Sequence, residues 1–130
     1  GKIQMNLKYF GDAATLRSMY QKDVAAGFHP TGCDERQIFV HEFCHAIDGF
    51  LARSGKFPST KGHVSSKIRG QIMRRCGLKV SDIPKEVSLY GASNAAEWFA
   101  EALSEAICSS NPRPVATELL KWVEDAMKAV

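Results

Sequence analysis

The sequence predicts a mainly helical α+β domain with one small sheet. Three observations lead there: a period-two alternation near 2-9, five stretches whose apolar residues recur at helical spacing, and capping or stop residues between them. At 130 residues and 45% hydrophobic content, the chain suits a single domain over 1-130 with one adequate core.

Ile3, Met5, Leu7 and Tyr9 alternate with Lys2, Gln4, Asn6 and Lys8, the pattern of a strand with one buried face. Gly11-Asp12 ends the strand and caps a helix carrying Leu16, Met19, Tyr20 and Val24, which Gly27 stops. The stretch near 27-31 is short, and Pro30 forces His29 to an extended backbone, so it reads as a loop or an edge strand. An edge strand would bind an extended peptide through main-chain hydrogen bonds. His29, beside a proline in a turn, reads as structural or solvent-facing rather than as a metal ligand.

Cys33-Asp34 offers a cap for the central helix, which runs to about Arg53. On it Ile38, His41, His45, Asp48 and Ala52 share one stripe. Phe39, Val40, Phe43, Ala46, Ile47, Phe50 and Leu51 cover the other side, so the Phe43 side is expected to be buried. A helix this apolar lies inside the fold, and its histidines then need partners there. Val64, Ile68, Ile72 and Cys76 mark a basic helix that Gly77 ends. The stretch from 78 to 92 reads as loop with one turn at Pro84, and it carries Tyr90. Ser93-Asn94 caps a helix from Ala95 to about Ser109, and Val115, Leu119, Trp122, Val123 and Ala126 make the last helix amphipathic.

Charge and cysteine content exclude several classes of partner. The net charge is +3, and between Gly49 and Ser81 there are eight bases and no acid. No aromatic residue after Phe57 interleaves with those bases to stack on nucleotides, so the block reads as a solvated face and not as a nucleic-acid site. No apolar run reaches bilayer length, so no membrane span is expected. Cys33, Cys44, Cys76 and Cys108 include no C-x-x-C pair and read as free thiols. Gly1 is not a native start, which suggests a piece of a longer chain.

The chemistry concentrates in Val40-His41-Glu42-Phe43-Cys44-His45. Four residues apart at about 100° each, His41 and His45 lie about 40° apart on one helical face and can reach one ion. Glu42 stands beside that ion's open position without being a ligand, the H-E-x-x-H arrangement of zinc hydrolases. A catalytic zinc takes three protein ligands, and no histidine follows closely enough to be the third. Glu97 and Glu101 share one face of an otherwise apolar helix, a costly place for carboxylates without a cation. One of them can bind the metal, and the other can accept the free N–H of a ligating histidine.

Tyr90-Gly91, Asn94 and the run Glu97-Trp98-Phe99-Ala100-Glu101-Ala102, downstream of His41-Glu42-Phe43-x-His45-Ala46-x-Asp48, resemble the catalytic domain of anthrax lethal factor and its relatives. These are gluzincin metallopeptidases, a group that includes the clostridial Pro-Pro endopeptidases. The chain is also similar to compact H-E-x-x-H domains of phages and prophages. The resemblance runs in register over about half the chain, roughly 39-102. It implies a zincin-like fold, with the small sheet packed on the central helix and a second ligand helix. It implies a zinc-dependent endopeptidase holding one Zn²⁺ through His41, His45 and Glu97, with Glu42 as general base and a peptide or protein as substrate. It further implies that Tyr90 faces the zinc and assists the oxyanion or leaving amine, and that Glu101 orients His41. Cys44 replaces the glycine usual before the second histidine. The alternative is a non-catalytic, zinc-stabilised assembly module of a phage particle. With no signal or transmembrane segment in the given sequence, a cytoplasmic or phage-associated location is expected.

Overall fold

A computed structural model of the protein describes residues 13–130. Six α-helices follow in order: α1 (Ala13–Ala25), α2 (Gln37–Arg53), α3 (Ser65–Arg75), the single turn α4 (Ile83–Glu86), α5 (Ala95–Cys108) and α6 (Pro114–Ala129). Short 3-10 turns at Val80–Asp82 and Tyr90–Ala92 flank α4. The strand expected near 2-9 lies outside the described residues. Among the described residues there is no sheet, and the one extended pairing is an isolated bridge between Thr60 and His63.

Of the two readings of the stretch near 27-31, the loop is formed and the edge strand is not. Gly27 turns the chain at φ 78° and Gly32 at φ 82°, and Pro30 between them has no N–H to offer a ladder. The carbonyls of Gly27 and Phe28 accept from the backbone N–H groups of Leu89 and Tyr90, at 2.8 and 3.1 Å. Those bonds tie the loop to the 3-10 turn that carries Tyr90.

Local signals set the helix ends. Asn94 caps α5 by accepting from the Glu97 N–H at 2.9 Å. Pro114 opens α6 in its first turn, and Gly77, at φ 70°, follows the end of α3. Asp34 accepts from the Arg36 N–H in the turn before α2, and the helix proper starts at Gln37, three residues after Asp34.

The core lies where α5 is enclosed by α2, α3 and α6. Trp98, Phe99 and Leu103 of α5 pack with Leu51, Ile72, Met73 and Leu119, all essentially buried. Each such side chain contributes roughly 1.5–3 kcal/mol by leaving water.

The expectation that α2 is buried on its Phe43 side is overturned. Phe43 is 59% exposed, and Phe39 and Phe50 are also exposed. The buried seam is Gln37, His41, Cys44, Asp48 and Leu51, spaced three and four apart, and it faces α5. This polar seam is buried because each polar group finds a partner across it. Asp48, fully buried, accepts from the Val64 and Ser65 N–H groups at 2.7 and 3.1 Å and so caps α3. Its other oxygen takes the His63 Nδ1 at 3.2 Å.

Candidate metal centre

Helices α2 and α5 cross so that His41, His45 and Glu97 meet. His41 Nε2 lies 3.1 Å from His45 Nε2, and Glu97 reaches both, with Oε1 2.6 Å from His45 Nε2 and Oε2 3.4 Å from His41 Nε2. One ligand atom from each of these residues falls within 4.8 Å of the others. The i, i+4 spacing brings the two histidines together, and the Asn94 cap starts α5 so that Glu97 sits in its first turn.

This donor set fits a divalent cation. Two ligands of a tetrahedral zinc with bonds of about 2.0–2.1 Å stand about 3.3 Å apart, close to the separations seen here. Glu97 Oε2 is buried without a hydrogen-bond partner, an orphaned acceptor that a cation would satisfy. Two imidazole nitrogens facing each other at 3.1 Å share at most one proton, so a cation suits their lone pairs equally well.

Glu101, one turn further along α5 and fully buried, is a hub. Its Oε2 accepts from His41 Nδ1 at 2.9 Å and from Gln37 Nε2 at 2.7 Å. Its Oε1 accepts from His29 Nδ1 and from the Ser88 hydroxyl, each at 3.0 Å. Burial alone would raise the Glu101 carboxyl pKa, but the hydrogen bonds from His29 and His41 outweigh it and hold the group below the usual range. With Nδ1 donating to Glu101, His41 is held in the tautomer that leaves Nε2 for the cluster. Burial opposes charge on His41, yet its bonds to Glu101 and Glu97 push its pKa up to about 9. Glu97 is likewise held well below the carboxylate range, burial being outweighed by His41, His45 and Tyr90.

Tyr90 stands over this cluster. Its ring stacks on His41 at 5.6 Å between centroids, and its hydroxyl is paired with Glu97. Burial, then the Glu97 carboxylate, raises its pKa well above that of an ordinary tyrosine. Gly91 makes the approach possible, since a Cβ there would meet Ser88 Oγ at 3.0 Å and Val87 Cγ1 at 3.2 Å. Beside the cluster lies an open cleft of about 410 Å³ bordered by Phe28, His29, Ile38, His41, Glu42 and Tyr90. The Glu42 side chain borders it with no ion pair or hydrogen bond to another described residue.

The structure thus brings together His41, His45 and Glu97, and it sets Glu101, Tyr90 and Glu42 around them. It adds three residues that sequence reasoning missed or set aside. Gln37 is one turn before His41 on the same stripe, a spacing that could have flagged it; its amide bonds Glu101, Ser104 and, through Oε1, the Tyr20 hydroxyl. Ser88 and His29 carry no local signal, because only the folding of two loops onto Glu101 recruits them. His29 is not part of the cluster, but its side chain is only 14% exposed and stacks on Tyr20.

Elsewhere, seven of the eight bases between Gly49 and Ser81 are exposed, as a solvated face requires, and only Arg69 is half-buried. All four cysteines are free thiols. Among the described residues no helix is long and apolar enough to cross a membrane. Against known protein families, curated proteins and solved structures, the chain finds no match.

Proposed function

We propose that the protein is a zinc-dependent endopeptidase that binds one Zn²⁺ through His41, His45 and Glu97. The observation that carries this reading is a three-ligand cluster beside an open cleft that His41 and Glu42 both border, with the Glu42 side chain unpaired among the described residues. A purely structural zinc site is closed by a fourth protein ligand and has no use for a free carboxylate beside it.

When bound, zinc supplies a Lewis acid that polarises the scissile carbonyl and brings the pKa of a bound water to about 7. Glu42, without a side-chain partner among the described residues, takes the proton of the attacking water and delivers it to the leaving nitrogen. Tyr90, at the cleft's edge, turns its hydroxyl from Glu97 to the developing oxyanion. Glu101 keeps His41 oriented throughout.

Replacing Glu42 with Gln tests the reading. The expected result is loss of cleavage across a broad peptide library with one zinc per chain retained. Absence of zinc in freshly purified wild type, or its retention at full affinity in Glu97→Ala, refutes the site. A wild type that holds zinc yet cleaves nothing is instead the zinc-stabilised module.

A further inference from the structure

We propose that His29 is a substrate-contacting residue, whose Nε2 accepts a backbone N–H of an extended peptide lying in the cleft with an apolar side chain next to it. This rests on the peptidase reading above and names what holds the peptide. The loop that carries His29 cannot bind a strand as an edge would, because the Gly27 and Phe28 carbonyls are already taken by Leu89 and Tyr90. With those two carbonyls spent, the His29 side chain is a fixed polar group that this wall offers to a peptide.

His29 is built for it. Its Nδ1 is committed to the fully buried Glu101 at 3.0 Å, and a neutral imidazole with its proton on Nδ1 presents a lone pair at Nε2. The ring is fixed on three sides, stacked on Tyr20 at 5.4 Å and edge-on to Phe28 and Tyr90 at 5.0 and 5.9 Å. Nε2 has no partner among the described residues, on a ring that borders the same cleft as Glu42. The neighbouring walls are apolar: Phe28 is 40% exposed there, with Ile38 and the Tyr90 ring beside it. A wall with one fixed acceptor between apolar surfaces suits a peptide N–H flanked by an apolar side chain. Glu101 thereby holds a metal-site histidine on one oxygen and the substrate-side histidine on the other.

Two substitutions separate contact from support. In His29→Asn the amide nitrogen takes the place of Nδ1 and can still donate to Glu101, but nothing occupies the Nε2 position. In His29→Gln the amide takes the place of Nε2 and offers an acceptor there, while the bond to Glu101 is lost. The probe is the decapeptide that wild type cleaves best from a fluorescence-quenched library. Its binding is measured on zinc-loaded Glu42→Gln protein with and without each His29 change, beside KM, kcat and zinc content in the Glu42 background. Losing one acceptor is expected to weaken binding and raise KM about three- to tenfold in His29→Asn, with kcat and zinc content unchanged. His29→Gln should restore binding while lowering the melting temperature. The reverse pattern, full binding by Asn and weak binding by Gln, makes His29 a support for Glu101 alone and overturns the inference. If wild type cleaves no peptide and Glu42→Gln binds none from the library, the peptidase reading falls and takes this one with it.

Discussion

Removing the Glu101 carboxylate is the most demanding perturbation of this design. Its two oxygens accept from His29, Ser88, Gln37 and His41 at 2.7 to 3.0 Å, and the group has no exposed surface. Glu101→Ala strands those donors at once. A buried donor left without a partner costs about 1–3 kcal/mol. The Ser88 hydroxyl can rotate to another acceptor, and water can enter from the cleft beside His29 and His41, so the sum is less than four full penalties. A loss of about 4 kcal/mol follows, a large share of the roughly 5–15 kcal/mol that holds a domain folded. Glu101→Gln keeps one oxygen, and its amide NH₂ can face the Ser88 hydroxyl and the His29 tautomer whose proton has moved to Nε2, both able to accept. It should cost about 1–2 kcal/mol by the same reasoning and weaken zinc roughly ten- to hundredfold, because His41 Nδ1 loses a charged acceptor or gains a neutral one. Urea unfolding in EDTA measures the first effect without metal, and zinc titration against a fluorescent chelator measures the second. An alanine variant within about 1 kcal/mol of wild type, with unchanged zinc affinity, refutes the hub.

Other outcomes follow from the same geometry. Phe43→Ser should shift stability by no more than about 0.5 kcal/mol because its side chain is largely exposed, whereas Leu51→Ala on the buried seam should cost about 2–5 kcal/mol; equal losses in denaturant unfolding would mean the Phe43 face is covered. Asp48→Ala removes the cap of α3 and should cost about 2 kcal/mol, read as a lower unfolding midpoint at unchanged zinc content. Burial, then Cys108 and Glu105, pushes the Cys33 thiol from 9.0 up to about 12. The unfolded chain therefore loses this proton first, so stability should be level below pH 9 and fall between about 9 and 12 as U binds fewer protons than N. Unfolding midpoints at pH 8, 9.5 and 10.5 check the slope, which Cys33→Ser should flatten in part.

Much of the site was legible in the chain because its information is local. His41 and His45 are one helical turn apart, Glu97 and Glu101 likewise, and the Asn94 cap that starts the second helix is a neighbouring residue. The stop at Gly27 and the turn at Pro84 depend on backbone preferences of single residues in the same way. Reading α2 from its apolar side failed for the opposite reason. Periodicity reports which residues share a face, and the apolar face of an isolated helix is the natural candidate for burial. The polar face is buried here because α5 presents Glu97, Glu101 and Ser104 to it, and because Asp48 finds the start of α3.

The sequence by itself determined where the helices lie, the Asn94 cap and two pairs of metal-competent residues, since each depends on spacings within a turn or two. Only the tertiary structure decided which side of α2 faces inward, that the loop after α1 is tied down at Leu89 and Tyr90 instead of forming a strand, and that His29, Gln37 and Ser88 converge on Glu101. Those outcomes depend on whether partners distant in the chain can satisfy buried polar groups, a condition no local pattern encodes.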